Sequence, residues 1–218
     1  MNRNRVQDGG LFFFGKMSAS ISHELKNVLA IINENAGLAE DLIAMAEKGR
    51  PLDVSRIKSL ASKVKDQVKR GDEIVKTMNK FAHSADMPKA SIIPLEFLDL
   101  VAALSRRLAA IKGFELEVFC DKGLKEVVTN PFFLENLLWS FIEHAISDAG
   151  GEKKLTLFAE ESDGKVRLGL RRSRFEPGSL GKAFPGEREL ALAEVIGGEI
   201  DIDPEKGETF FLLSKTSG

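Results

Sequence analysis

The sequence predicts an α+β protein in which a long helical hairpin precedes an α/β sandwich. Apolar residues recur at steps of three and four over Leu11 to Lys48 and again from Asp53 to about Ala82, which is typical of two long amphipathic helices. Between these segments, Gly49 and Pro51 supply a helix stop. Beyond residue 90, helical segments interleave with alternating ones, which indicates a sheet covered by helices.

The composition is that of a globular, cytoplasmic protein. Of the 218 residues, 43% are hydrophobic and 29% are charged, and the net charge of −2 disfavours a general nucleic-acid binder. The single cysteine, Cys120, excludes an internal disulfide and a cysteine metal cluster and suits a reducing compartment. No apolar run approaches the ~20 residues of a membrane span, and the polar N-terminus lacks a signal peptide.

Each long helix presents one apolar stripe, and Asp53 is the candidate N-cap of the second helix. Two long helices with a short link form an antiparallel hairpin. One hairpin cannot bury both stripes, so we expect two copies to pair as a four-helix bundle homodimer. The first stripe comprises Phe14, Ile21, Leu25, Val28, Ile32, Ala39, Leu42 and Ala46, and the second comprises Val54, Ile57, Leu60, Val64, Val68, Ile74 or Val75, Met78 and Phe81.

A predicted linker over residues 83–90 divides the chain into one domain over residues 1–87 and a second over residues 88–218. Glycine-containing turns at Ser162-Asp163-Gly164 and before Gly207 predict two hairpins of strands in the second domain. Its predicted elements are a short edge strand over 91–94, a helix over 95–112, strands over 114–120 and 125–129, a helix over 132–149, strands over 154–160 and 165–171, a helix over 187–196, and strands over 199–203 and 209–213.

The candidate chemistry lies at His23 in the first helix. If the apolar stripe faces inward, His23 is exposed to solvent, with Glu24 beside it in sequence and Asn27 one turn further along. A lone exposed histidine is usually a plain surface residue. An imidazole flanked by a carboxylate and an amide, however, is suited to accepting and donating a phosphoryl group. Of the other histidines, His83 is expected near the linker and His144 as a partly buried packing residue.

The string SHELKNVLAII resembles the H-box of two-component sensor histidine kinases, in which a phosphoaccepting histidine stands in the context H-E-x-[KR]-[NT]-P. His23, Glu24, Lys26 and Asn27 match this pattern, and Val28 replaces the proline, which predicts a straighter helix. The resemblance implies that His23 accepts phosphate, that Glu24 takes the proton of the other ring nitrogen, and that Asn27 orients a water for dephosphorylation.

The order of elements after residue 90, with GGEIDIDPEKGETFFLL at its end, resembles the GHKL (Bergerat) ATP-binding domain of the same kinases. The residues that would bind nucleotide are replaced, so we expect a degenerate domain that binds no cofactor stably, with Mg²⁺ supplied by a partner. Arginine, for example, cannot accept the adenine amino group. The replacements are Ser140 and His144 for two asparagines, Arg172, Arg174 and Glu176 within D-x-G-x-G, and Glu187 and Glu189 at the phosphate-binding helix.

This architecture is similar to dimeric bundle-type histidine phosphotransferases. The leading hypothesis is therefore phosphotransfer between His23 and a receiver-domain aspartate of a response regulator, without ATP. The alternatives are a divergent ATP-dependent histidine kinase and a non-enzymatic pseudokinase scaffold; the latter would need neither Glu24 nor Asn27. The cations of the second helix form either a solvated face or a docking surface for the acidic receiver pocket. They are Arg56, Lys58, Lys63, Lys65, Lys69, Arg70, Lys76 and Lys80.

Overall fold

The structure is a computed structural model that describes residues 2–147, 153–172 and 184–214. The chain divides into two packing units: Met17–Asn79 forms a helical hairpin, and Met1–Lys16 together with Lys80–Gly218 forms an α/β unit. The predicted boundary between residues 87 and 88 separates consecutive parts of the chain. In the structure, by contrast, the start of the first helix and the end of the second pack with the α/β unit. Within the described ranges, no helix is long and apolar enough to cross a membrane.

The first helix, α1, runs over Asn2–Glu47 and begins nine residues before the predicted start at Leu11. The predicted start follows the apolar period, which begins at Leu11; the residues before it include Gly9 and Gly10, and glycine disfavours helix. Packing overrides this preference, because a Cβ on Gly10 would lie 3.2 Å from Cε1 of Phe132. Glycine at this position therefore lets α1 approach the helix that carries Phe132.

The buried side of α1 differs from the prediction in its first turns. Phe13, not Phe14, is fully buried, and its ring centroid lies 5.5 Å from that of Phe81, 5.6 Å from that of Phe132 and 5.4 Å from that of Trp139. We call these four residues the aromatic cluster. The stripe shifts by one residue because α1 packs here on a second helix of the α/β unit as well as on the end of the hairpin's second helix.

The second helix, α2, runs over Val54–Asp86. Its predicted N-cap is confirmed: the Oδ1 atom of Asp53 accepts a hydrogen bond from the backbone N–H of Arg56 at 3.0 Å and another from the Ser55 hydroxyl at 2.6 Å. At the other end, the linker predicted over residues 83–90 is wrong for its first four residues, which are helical. Ser84 is buried and hydrogen-bonded there, so this turn is stabilised by contacts that the local sequence does not reveal.

Ten elements follow α2, close to their predicted positions. They are β1 (Ala90–Ile92), α3 (Pro94–Ile111), β2 (Glu115–Cys120), β3 (Val127–Thr129), α4 (Pro131–Ser147), β4 (Lys154–Ser162), β5 (Lys165–Arg172), α5 (Glu187–Ile196), β6 (Glu199–Asp203) and β7 (Glu208–Ser214). The helix α5 and the strand β6 match the prediction at both ends. The positive φ of Gly197 explains why α5 stops at the predicted residue.

Five strands form a mixed sheet in the order β2-β4-β5-β7-β6, in which β2 and β4 are parallel and the other neighbours are antiparallel. The strands β1 and β3 form a separate antiparallel pair. One face of the large sheet carries the core, with Leu157, Leu168 and Phe211 buried in a single cluster with Leu98 of α3 and Leu138 of α4. The predicted class, a helical hairpin followed by an α/β sandwich, is confirmed.

Candidate functional site

His23, Glu24 and Asn27 lie on the part of α1 that belongs to the helical hairpin. The imidazole of His23 and the amide of Asn27 are exposed, and Glu24 is half-buried. Helical geometry separates His23 and Asn27 by about 6 Å along the axis and places them on one face. The helix continues through Val28 without interruption, as expected for a segment without the family's proline.

The exposure of His23 follows from the packing of its neighbours. Ile21 and Val28 are buried, and Cγ1 of Val28 would lie 3.4 Å from a Cβ placed on Gly71 of α2. Because each residue advances a helix by about 100°, His23 lies about 140° to 160° around α1 from these two side chains. The hairpin interior therefore directs the imidazole into solvent.

Glu24 is oriented differently from the other two residues. It lies about 100° around the helix from His23, on the side nearer to α2, which accounts for its partial burial. Among the residues that the structure describes, no hydrogen bond joins His23 to Glu24 or to Asn27. The structure thus brings His23 and Asn27 onto one exposed face, and the role of Glu24 as a proton acceptor stays a prediction.

An apolar line with a seven-residue period extends the face of Asn27, and sequence reasoning missed it. Ile31, Leu38 and Met45 lie within about 40° of Asn27 around the helix axis. Leu38 and Met45 are exposed, and Ile31 is half-buried. We call these three residues the apolar line. Its signal in the sequence was the heptad spacing, which the stronger stripe of buried residues obscured.

All eight cations of α2 are exposed, as either interpretation of them requires. Lys76 pairs with Asp72 at 2.6 Å on the same helix, and this contact raises the pKa of Lys76. Exposed pairs of this kind contribute little to stability. The hairpin therefore exposes apolar side chains on α1 and positively charged side chains on α2.

His144 and Ser140, the two predicted replacements on α4, make contacts within the α/β unit. The ring of His144 stacks on that of Phe184 with 4.1 Å between centroids and 9° between planes, and Phe141 meets the same Phe184 edge-on at 5.8 Å. The Ser140 hydroxyl donates to the carbonyl of Leu137 at 2.7 Å. The prediction that His144 is a partly buried packing residue is confirmed.

Arg171 and Arg172 lie in the last two positions of β5, not in an exposed turn. Arg172 is buried. It lies two residues after Leu170 in the strand and therefore faces the same side of the sheet, toward the helices. Arg171 faces the other side of the sheet, where it contacts Glu208 at 2.6 Å and Glu160 at 2.9 Å. A guanidinium offers only donors, so Arg172 cannot replace an aspartate that accepts from adenine. Arg174 and Glu176 lie outside the described residues.

The N-terminus of α5 is capped by the helix itself. A carboxylate oxygen of Glu189 accepts a hydrogen bond from the backbone N–H of Gly186 at 3.0 Å, and Glu187 also lies in the first turn. Both carboxylates complement the helix dipole and would repel a triphosphate. Within the described ranges, no three histidine, cysteine or acidic side chains are grouped so that they could hold a metal ion.

The sequence matches no protein-family model and no curated protein sequence. Its structure matches several solved ones. The chain is similar to histidine kinase cores. The histidine kinase AdeS from Acinetobacter baumannii matches with 16% identity over 89% of this chain and 98% of its own, at a TM-score of 0.46. Histidine kinase ThkA, solved in complex with response regulator protein TrrA, matches with 19% identity over 98% of this chain and 65% of its own, at a TM-score of 0.46.

A bacterial phosphotransferase matches with 14% identity over 93% of this chain and 95% of its own, at a TM-score of 0.44. Each of these likenesses is one of architecture and assigns no role to a residue. The roles of His23, Glu24 and Asn27 therefore rest on the chain's own residues and their placement.

Proposed function

We propose that this chain is a histidine phosphotransfer protein in which His23 accepts a phosphoryl group from, and returns it to, an aspartate of a response-regulator receiver domain, without binding ATP. The observation that carries this proposal is the contrast between the two units. The hairpin exposes an imidazole and an amide on one face of α1, whereas in the α/β unit His144 stacks on Phe184 and the buried Arg172 offers no acceptor to an adenine amino group.

The transfer needs little covalent chemistry from this chain. One imidazole nitrogen of neutral His23 forms the N–P bond while the bond from phosphorus to the aspartate oxygen breaks, which leaves the receiver's aspartate as a carboxylate. The proton on the other nitrogen then leaves, and Glu24 is the nearest acceptor in sequence. Such transition states are loose, so positioning dominates. A Mg²⁺ held by the receiver supplies charge neutralisation on the phosphoryl oxygens.

Asn27 has a separate role in this proposal. Its amide lies one turn from the imidazole on the same exposed face, where it can orient a water toward phosphorus. Attack by that water would release inorganic phosphate instead of passing the phosphoryl group to an aspartate. Asn27 would thereby set the balance between transfer and hydrolysis without acting in transfer itself.

The docking surface in this proposal combines the apolar line with the α2 cations. A receiver's phosphoacceptor pocket is rich in carboxylates, so a positive surface on the same hairpin raises the rate of encounter and orients the partner. Leu38 and Met45 add apolar area that the isolated hairpin leaves in water. An adaptable methionine suits such a surface.

The decisive experiment compares two phosphoryl donors. The chain is incubated either with a phosphorylated receiver domain or with Mg²⁺-ATP, and acid-labile phosphate on the chain is then measured. We expect label from the receiver and none from ATP, together with no thermal shift at millimolar nucleotide. Label from ATP would establish the divergent kinase instead. Absence of label from both donors, with the receiver still bound, would establish the scaffold.

We further propose that two hairpins pair as a homodimer. On α2, Val54, Ala61, Val68 and Val75 recur every seven residues and are all exposed in the single chain. A heptad line of this kind is the seam of a helical bundle. It lies on α2 beside the half-buried residues that face α1, so a second hairpin would cover it.

Val68→Glu should convert the dimer into single chains, because a buried carboxylate in the seam would have no partner. Lys69→Glu changes the charge at the adjacent exposed position and serves as the control that should leave the dimer intact. Sedimentation equilibrium at micromolar concentration measures both. A wild-type mass equal to one chain would refute the dimer.

A further inference from the structure

A buried carboxyl group in the α/β unit takes no part in the proposed phosphotransfer. Glu135 of α4 is only 1% exposed. It lies three residues after Phe132 and four before Trp139, the two residues that α4 contributes to the aromatic cluster. A carboxylate without a positive partner is among the costliest groups to bury, so this position needs a physical explanation.

The contacts of Ser84, on the last turn of α2, supply that explanation. Its hydroxyl oxygen lies 2.8 Å from the carbonyl oxygen of Phe81 and also 2.8 Å from Oε2 of Glu135. A hydroxyl has one proton, and neither the carbonyl nor an ionised carboxylate has any to give. Both contacts can be full two-centre hydrogen bonds only if Glu135 carries a proton and donates it to Ser84, which in turn donates to Phe81; an ionised Glu135 would have to share the one hydroxyl proton with the carbonyl of Phe81.

The second oxygen of Glu135 leads to the same conclusion. Oε1 is buried and has no hydrogen-bond partner among the residues that the structure describes. A neutral carbonyl oxygen tolerates this position at moderate cost, whereas an anionic oxygen does not. Burial raises the pKa of Glu135 to about 8, although the contact with Ser84 opposes the shift.

Among the described side chains, none with a positive charge is paired with Glu135. Three such side chains on α1, α2 and α5 contact other residues. They are Lys16 with Glu143 at 2.7 Å, His83 with Asp86 at 3.8 Å, and Arg188 with Asn136 at 2.6 Å. An anion at position 135 would therefore be both buried and unpaired.

We propose that Glu135 is a neutral carboxylic acid whose proton forms the hydrogen bond between α4 and the last turn of α2. Loss of this proton breaks that hydrogen bond, so the stability of the α/β unit depends on pH. Below the ordinary pKa of 4.5, both the folded and the unfolded chain hold the proton. Between that value and about 8 only the folded chain holds it, so the free energy of unfolding falls as the pH rises and levels off above about 8.

Glu135→Gln separates this proposal from ordinary packing, because the amide can donate to Ser84 at every pH. Urea unfolding of the full chain, followed by the fluorescence of Trp139, measures stability from about pH 5 to about pH 9. Relative to the variant, the folding equilibrium constant of the wild type should fall by at least about a hundredfold over this range. Glu143→Gln, at the surface of the same helix, is the control and should keep the wild-type profile.

A second measurement does not depend on how well the variant folds. Infrared difference spectra of the wild type between neutral and alkaline pH should show the C=O stretch of a protonated carboxyl disappearing near pH 8. That band should be absent from Glu135→Gln and present in Glu143→Gln. A wild-type spectrum without a protonated carboxyl at neutral pH would overturn the proposal, as would parallel stability profiles of wild type and Glu135→Gln.

Discussion

His23→Ala should take up no phosphate from a phosphorylated receiver domain, whereas the wild type becomes labelled. Removal of the imidazole removes the only nucleophile that the proposed transfer uses, so the expected loss is complete rather than partial. His83→Ala is the matched control, because His83 is also an exposed histidine, on α2. Its variant should be labelled like the wild type. Labelling of His23→Ala at the wild-type rate would contradict the proposed function.

Two neighbouring substitutions test how the roles are divided. Glu24→Gln should slow transfer by about a hundredfold if Glu24 accepts the second imidazole proton, since general-base catalysis contributes at least this much. Asn27→Ala should leave transfer unchanged and prolong the lifetime of the phosphorylated protein. Rates of label uptake and of label loss, measured separately, distinguish the two. Equal effects of Asn27→Ala on both rates would assign Asn27 to transfer.

Phe13→Ala should destabilise the α/β unit more than any surface substitution on α1. The side chain is 0% exposed and touches the other three members of the aromatic cluster. Its truncation leaves a cavity and should lower the free energy of unfolding by about 3 to 5 kcal/mol. Trp139 belongs to the same cluster, so its fluorescence reports the transition directly.

Phe12→Ala is the matched control for this substitution. Phe12 is the preceding residue and of the same type, but it is 56% exposed. Surface truncations away from special contacts usually change stability by less than about 0.5 kcal/mol. If Phe12→Ala and Phe13→Ala destabilise the protein equally, α1 does not pack through Phe13.

Local signals in the sequence sufficed for most of the fold. Asp53 predicted the start of α2 because an N-cap is a local interaction. The end of α5 before Gly197 is likewise determined by a local interaction. The exposure of His23 followed from the spacing of Ile21 and Val28. These features depend on residues within a few positions of one another.

The features that were not predicted depend on distant residues. The helix at Gly10 packs against Phe132 and Phe133 of α4, and at Gly9 against Arg188 of α5, all far along the chain. The helical turn at Ser84 is held by Glu135, 51 positions away. No local propensity reports such contacts, and the shift of the buried stripe to Phe13 has the same origin. The protonated state proposed for Glu135 was not predicted because it depends on the burial of the side chain, which the local sequence does not show.

The assignment of the first four turns of α1 to the α/β unit has a consequence for synthesis on the ribosome. Residues near the N-terminus emerge first, yet their partners emerge late: Lys16 and Glu143, for example, are 127 positions apart. Until α4 leaves the exit tunnel, Phe13 lacks two of its three ring partners, Phe132 and Trp139, and only Phe81 of α2 can cover it. The aromatic segment is therefore incompletely covered while residues 17–131 are synthesised, and exposed segments of this kind are the ones that chaperones bind. A chain without residues 1–16 would not expose this segment during synthesis, but its α/β unit would lack Phe13 from the aromatic cluster.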